Sequence, residues 1–294
     1  MARVKAGSRK MYVEEYGKGN ARAIVFFHGG PGAGCGAFTD QARALGKKYH
    51  VVLFDQYGAM RSGAIPAKEP FGMMDHVRLI DDMRGALGIQ SWAVLGHSYG
   101  GMLACLYART YPERTDAVLY ECSSWDLGLS AQSAAAFFLP RLRGDRSQEG
   151  IDSCERILNG DPAGRATLHN ELRTVLAPLV RRLYMHKTCD SPKSKIKTPR
   201  SAAQKNAVHC KKIREEGLIY QSFRPYLDEI DRSSLLLAAK YDPVCGEPER
   251  DYFQRHAPNG TVFKFQDSGH FPHIEEPEAF TKTVTEFLDA LPIR

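Results

Sequence analysis

The sequence predicts an α/β domain, a parallel sheet with helices on both faces, interrupted by a helical insertion. Two observations predict it. Short apolar runs rich in β-branched residues alternate with helical stretches through residues 1–124 and again through 232–294. Between them, from about Trp125 to Asp231, the chain is helical and polar without a convincing apolar strand.

The elements follow in order. Lys10–Tyr16 and Ala23–Phe27 read as strands, the second running into the Gly/Pro cluster His28-Gly29-Gly30-Pro31-Gly32. Phe38–Leu45 is helical, and the β-branched run from His50 to Asp55 is a strand. After a loop, Met73–Leu87 has helical periodicity. Trp92–Leu95 is a short strand, Met102–Thr110 an apolar helix that stops before Pro112, and Ala117–Tyr120 a further strand. Ser234–Ala239 and Thr261–Phe265 resume the strand pattern, and the amphipathic Glu278–Leu288 closes the chain.

Composition narrows the function classes. A chain of 294 residues with 43% hydrophobic residues, 14 Phe and 13 Tyr builds a core, so global disorder is excluded. No apolar run approaches the length of a membrane span. The basic N-terminus leads into no apolar stretch, so no signal peptide is expected. Cys35, Cys105, Cys122, Cys154, Cys189, Cys210 and Cys245 are scattered without a Cys-x-x-Cys pair. That pattern argues against a disulfide framework or a zinc ribbon and suits reduced thiols in a cytoplasmic protein.

The chemistry concentrates in three places. Gly96-His97-Ser98-Tyr99-Gly100 is G-x-S-x-G between a strand and a helix, where a sharp turn lifts a serine hydroxyl clear of the sheet. An acid and a histidine are expected downstream in that order. Asp242 follows the strand Ser234–Ala239, and His270 lies in a loop after Thr261–Phe265, at the same sheet edge. Ser98 is then the nucleophile, His270 the base and Asp242 the group that orients it. A turn-initiating role before Pro243 is the alternative for Asp242, with Asp126 and Asp267 as other candidate acids. His273 reads as structural, and His97 as a neighbour of the nucleophile that faces away from it.

The cluster His28, Gly29, Gly30, Pro31 and Gly32 follows a strand and suits an oxyanion loop, because glycines let backbone N–H groups approach a developing charge. The expected donors are the amides of Gly30 and Tyr99, with His28 bracing the loop. A competing motif overlaps it. Gly32-Ala33-Gly34-Cys35-Gly36-Ala37 matches G-x-G-x-x-A, and Asp55 ends the next strand where a ribose-binding acid would stand. The glycines start several residues after Phe27, too late for a tight strand-to-helix turn.

These motifs, with Asp55-Gln56-Tyr57-Gly58-Ala59-Met60-Arg61-Ser62 and the Asp242/His270 pair, resemble the proline iminopeptidase family of α/β-hydrolases. The resemblance covers roughly residues 10–124 and 232–294. It implies a mostly parallel eight-stranded sheet and a helical cap over 125–231, inserted between strands 6 and 7. It also implies no metal or organic cofactor, and an acyl-enzyme on the serine that water hydrolyses. Its substrates are small molecules or short peptides, often with a free α-amino group such as an N-terminal proline. Two positions depart from the family. Tyr57 replaces its usual arginine, and Pro243 stands where members that read an α-amino group carry an acid just after the catalytic aspartate. Asp228, Glu229 and Glu121 are the remaining carboxylates that could face an ammonium, though each reads more readily as a surface or cap-hinge charge. The same machinery serves a carboxylesterase, a lactonase or an acyltransferase; a nucleotide-binding or non-catalytic ligand-binding protein is a more distant alternative.

The net charge of +6 has one owner. Lys187–Arg214 holds nine Lys/Arg and one acid, or +8, leaving −2 for the rest. That segment has no Phe, Tyr or Trp to stack bases, so nucleic acid is not expected, and no membrane partner is. It reads as a solvated helix or mobile loop, or as a lure for acidic substrates. Phe137, Phe138, Leu139 and Tyr184 are expected either to roof the pocket or to form the core of the insertion.

Overall fold

Every residue of strand β3 (Ala23–Phe27) is buried, because successive side chains go to opposite faces of a sheet covered on both. Ile24 and Phe26 enter one apolar cluster; Ala23, Val25 and Phe27 enter the other. In this computed structural model, which describes residues 2–145, 147–160, 164, 183–187 and 200–292, the same alternation recurs through the central strands.

The other strands are β1 (Ala2–Ala6), β2 (Arg9–Tyr16), β4 (His50–Phe54), β5 (Trp92–His97), β6 (Thr115–Glu121), β7 (Ser234–Ala239) and β8 (Gly260–Phe265). Their order across the sheet is β1-β2-β4-β3-β5-β6-β7-β8. The β1–β2 and β2–β4 pairs are antiparallel and all others parallel, so the sheet is eight-stranded and mostly parallel. Strand β1 has no counterpart in the sequence reading. It is an edge strand whose Arg3 and Lys5 are exposed, so it carries no apolar run to reveal it.

Helices α1 (Thr39–Leu45) and α8 (Pro277–Asp289) cover one face through Ala42, Leu45, Phe280, Val284 and Leu288. Helices α2 (Met73–Ala86), α3 (Tyr99–Thr110) and α7 (Glu247–His256) cover the other. Between β6 and β7 the chain forms α4 (Leu127–Gly144), α5 (Gln148–Asn159) and α6 (Arg200–Glu216). Asp126 begins this stretch by accepting the Gly128 and Leu129 amides at the α4 N-terminus, so it is a cap rather than a catalytic acid. Helices α4 and α5 share a small core of Ala131, Ala135, Phe138, Cys154 and Ile157, against which Phe137 and Leu139 pack. Among the described residues no helix is long and apolar enough to cross a membrane.

Helix α6 corrects the reading of the basic segment as wholly solvated. Its described part docks on the sheet edge. Lys205 Nζ donates to Ser62 O at 2.9 Å and also to Met60 O. Asn206 Nδ2 donates to Gly32 O at 2.9 Å while its Oδ1 accepts the Met60 amide at 3.0 Å. His209 is buried, with Nδ1 2.9 Å from Tyr57 O. Lys211 and Arg214 on the same helix stay exposed. Residues 188–199 of the basic segment lie outside the described residues.

Candidate active site

Ser98 has φ 54° and ψ −122°, the strained turn from β5 into α3. The turn closes only because its glycines leave room. A Cβ on Gly100 would stand 2.0 Å from Phe27 O, at the end of β3. Tyr99 opens α3, so its amide is one of the first-turn N–H groups that lack an intrahelical acceptor. The His28–Gly32 loop approaches from the other side. A Cβ on Gly29 would lie 3.1 Å from Ser98 Cβ, and Gly30 takes φ 125°, a conformation other residues avoid.

His28 braces this loop. Its Nδ1 donates to Gly29 O at 3.0 Å and its Nε2 accepts the Gln56 amide at 3.0 Å. Both ring nitrogens are thus used by a neutral imidazole, and burial pushes its pKa down. Gln56 returns a bond from Nε2 to His28 O at 2.8 Å.

His270 is held at three points. Its amide donates to Tyr184 O at 2.7 Å, its carbonyl accepts from His97 Nε2 at 2.8 Å, and its Nδ1 donates to Asp242 Oδ1 at 2.8 Å. Asp242 is buried and also accepts the amides of Val244 and Cys245 at 2.9 and 3.0 Å. Burial alone would raise its pKa. The His270 ring and those amides outweigh burial and hold the carboxyl below the usual carboxylate range. Ser98, His270 and the amide-bearing residues Gly30 and Tyr99 all line one cavity of about 790 Å³.

His97 and Glu121 sit elsewhere than the sequence suggested. His97 does not face away: it lines the cavity, its ring centroid is 4.8 Å from that of His270, and burial lowers its pKa to about 3. Glu121 is no surface charge. It is buried at the end of β6, accepting His273 Nδ1 at 2.8 Å and the His273 amide at 2.9 Å. Burial would raise its pKa, but His273 and then His97 bring it down. Asp228 pairs with His256 at 3.0 Å and Glu229 with Arg109 at 2.6 Å, both exposed and away from the cavity lining. Asp267 is exposed and bonded to His186 and Lys187. Of the four expected roof residues, Tyr184 lines the cavity; Phe137, Phe138 and Leu139 belong to the α4–α5 core.

The dinucleotide reading of Gly32–Ala37 finds no ribose acid. Asp55 is buried, with Oδ1 accepting the Cys35 amide at 2.9 Å and Oδ2 accepting Arg61 Nε at 2.7 Å. It ties two loops together. Two buried groups bring three ligand-type atoms within 4.8 Å of one another, His97/Glu121/His273 and Cys122/Asp242/His270. In each, an imidazole N–H is bound to a carboxylate, His270 to Asp242 and His273 to Glu121.

The lining also holds residues the sequence did not single out. Phe38, Met102, Leu127, Ile219 and Val244 make apolar walls, and Cys210 and Arg214 reach it from α6. Among the described residues the lining has no Asp or Glu.

The alpha/beta hydrolase fold family matches residues 22–277. The chain is 36% identical over 139 residues to a proline iminopeptidase of Xylella fastidiosa, a match that covers 45% of this chain and only 44% of that relative. It is 25% identical over 293 residues to the proline iminopeptidase of Heyndrickxia coagulans, covering 97% of this chain and 96% of the other. The solved proline iminopeptidase of Mycobacterium smegmatis superposes with a TM-score of 0.69 at 22% identity, over 98% of this chain and 97% of that one. The chain therefore belongs to the alpha/beta hydrolase fold family, and among its sequence relatives are proline iminopeptidases.

Proposed function

We propose that the protein is a serine hydrolase that cleaves a small amide or ester through an acyl-enzyme on Ser98. The observation that carries this is the three-point hold on His270, which lines the same cavity as Ser98, with Nδ1 fixed on buried Asp242. That hold leaves Nε2 as the acceptor for the serine proton. Attack by Ser98 Oγ puts negative charge on the former carbonyl oxygen, and we assign its stabilisation to the Gly30 and Tyr99 amides. His270 then protonates the leaving group, and water releases the acyl group by the same steps in reverse order. Side chains and backbone supply every group these steps require, so the proposal includes no cofactor. It also takes 1–124 and 232–294 as the hydrolase core and 125–231 as a cap, in a cytoplasmic enzyme without a nucleic-acid or membrane partner.

Aminopeptidase action on N-terminal prolyl or aminoacyl substrates is a second reading, favoured by the names of the relatives. A buried ammonium needs a carboxylate to offset its desolvation, and the described lining provides none. An acyl substrate without a free amine therefore comes first.

A fluorophosphonate probe with mass mapping tests the proposal. Stoichiometric label on Ser98, lost in Ser98→Ala, is the expected result; a folded protein that takes no label would sink it. Prolyl naphthylamide set against simple acyl esters then separates the two readings.

A further inference from the structure

Helix α6 presents to the cavity a face that carries Cys210 and, one turn later, Arg214. Cys210 Sγ lies 3.3 Å from Pro31 O, which sets this end of the helix over the oxyanion loop. Arg214 is exposed at the cavity wall and makes no ion pair or hydrogen bond with a described residue. The acids beside it in sequence are engaged elsewhere. Glu215 pairs with Lys211 at 3.6 Å, and Glu216 Oε2 accepts the Leu218 amide at 3.2 Å. The other titratable lining groups are four histidines, Tyr99, Tyr184 and Cys210, and burial keeps His28 and His97 neutral. Arg214 is thus the permanently charged side chain of the described lining, in a cavity whose walls are largely apolar.

A guanidinium presents paired N–H donors that match a carboxylate. An ammonium entering the same space would meet repulsion instead. We propose that Arg214 selects substrates that carry a carboxylate, such as half-esters of dicarboxylic acids or amides of comparable shape. Their scissile carbonyl lies at Ser98 and their carboxylate at Arg214. This rests on the serine hydrolase reading and names its substrate class. The reaction itself is hydrolysis: the ester C–O bond breaks, a C–O bond to water forms, and the alcohol leaves with a proton.

The test compares monomethyl succinate, adipate and suberate with neutral methyl esters of matching length and with methyl aminohexanoate. At the fitting length the half-ester has the highest kcat/KM. In Arg214→Gln the ratio of kcat/KM for half-ester over neutral ester falls by about 10-fold or more, mainly through KM, and further in Arg214→Glu. Arg214→Lys, which keeps the charge but loses the fork, falls between. Because Arg214 is exposed and makes no ion pair or hydrogen bond with a described residue, these variants are expected to keep the fold. Equal use of half-esters and neutral esters at every length, an unchanged ratio in Arg214→Gln, or preference for the amine would overturn the assignment. If the fluorophosphonate labels Ser98 while the carboxylate preference is absent, the Arg214 assignment alone fails. If a folded protein takes no label and cleaves no ester, the hydrolase reading fails with it.

Discussion

His97 Nε2 lies 2.8 Å from the carbonyl oxygen of His270, joining the residue before the nucleophile to the backbone of the candidate base. A carbonyl only accepts, so Nε2 carries the proton and His97 is neutral, as its buried ring and a pKa near 3 require. His97 is therefore a positioning residue. His97→Phe keeps the ring but removes the donor, letting the His270 segment drift. We expect kcat to fall by roughly 10²-fold with KM little changed. Steady-state kinetics on an ester checks this, and a matching rise in KM would point to a general packing defect. His97→Gln, which restores an N–H, should recover part of the loss.

Asp242→Asn probes the other side of the same imidazole. The carboxylate accepts three hydrogen bonds, from His270 Nδ1, Val244 N and Cys245 N. An amide side chain has one acceptor oxygen, so an N–H group must face either the imidazole or a backbone amide. The wrong His270 tautomer results, and kcat should drop by about 10⁴-fold while the protein stays folded. Fluorophosphonate labelling of Ser98 should slow in parallel. Labelling at the wild-type rate would mean that Asp242 does not orient the base.

The candidate residues Ser98, Asp242 and His270 were legible in the sequence because each lies in the turn or loop that follows a strand, at a position that chain order sets in an α/β sheet. The strands of the sheet centre were legible for a related reason: burial on both faces leaves continuous apolar runs such as Ala23–Phe27. Features that depend on distant pairing were not. Glu121 and His273 meet across 152 residues, and nothing local marks Glu121 as buried. Helix α6 reads as part of one basic segment, yet Lys205, Asn206 and His209 turn toward the 57–62 loop and Arg214 toward the cavity. Only the docking of the helix sorts those charges. Strand β1 escaped notice because an exposed edge needs no apolar pattern.

Gly100 tests the close contact that shapes the turn. A methyl at this position would meet the backbone oxygen of Phe27 at 2.0 Å, with no flexible side chain there to yield. Gly100→Ala should cost about 3 kcal/mol or more of stability, read as a lower urea midpoint at unchanged slope. The adjoining His28–Gly32 loop would be pushed from Ser98, so residual activity should fall in the fraction that remains folded. A midpoint equal to that of the wild type would show that the turn relaxes more easily than this contact allows.

The contact between α6 and the core should make stability sensitive to acid. His209 Nδ1 and His76 Nε2 both donate to Tyr57 O, at 2.9 and 3.0 Å, and their ring centroids are 4.8 Å apart. The remaining nitrogens, His209 Nε2 and His76 Nδ1, are buried without a partner among the described residues, so protonation would place two charges side by side out of reach of water. Burial lowers His209 to about 4 and His76 well below its ordinary value. In the unfolded chain both titrate near 6.5. Between that value and about 4 the unfolded state binds more protons, so stability is full above pH 6.5 and is lost as the pH falls. For His209 alone the loss by pH 4 is about 3 kcal/mol. Burial raises Glu249 to about 6, and that group works in the opposite direction. The test is therefore a difference between proteins. His209→Asn keeps a donor for Tyr57 O but cannot titrate, and its denaturant midpoint should decline less steeply than that of the wild type from pH 7 to pH 5. Parallel declines would show that His209 carries a proton in the folded protein as readily as in the unfolded chain.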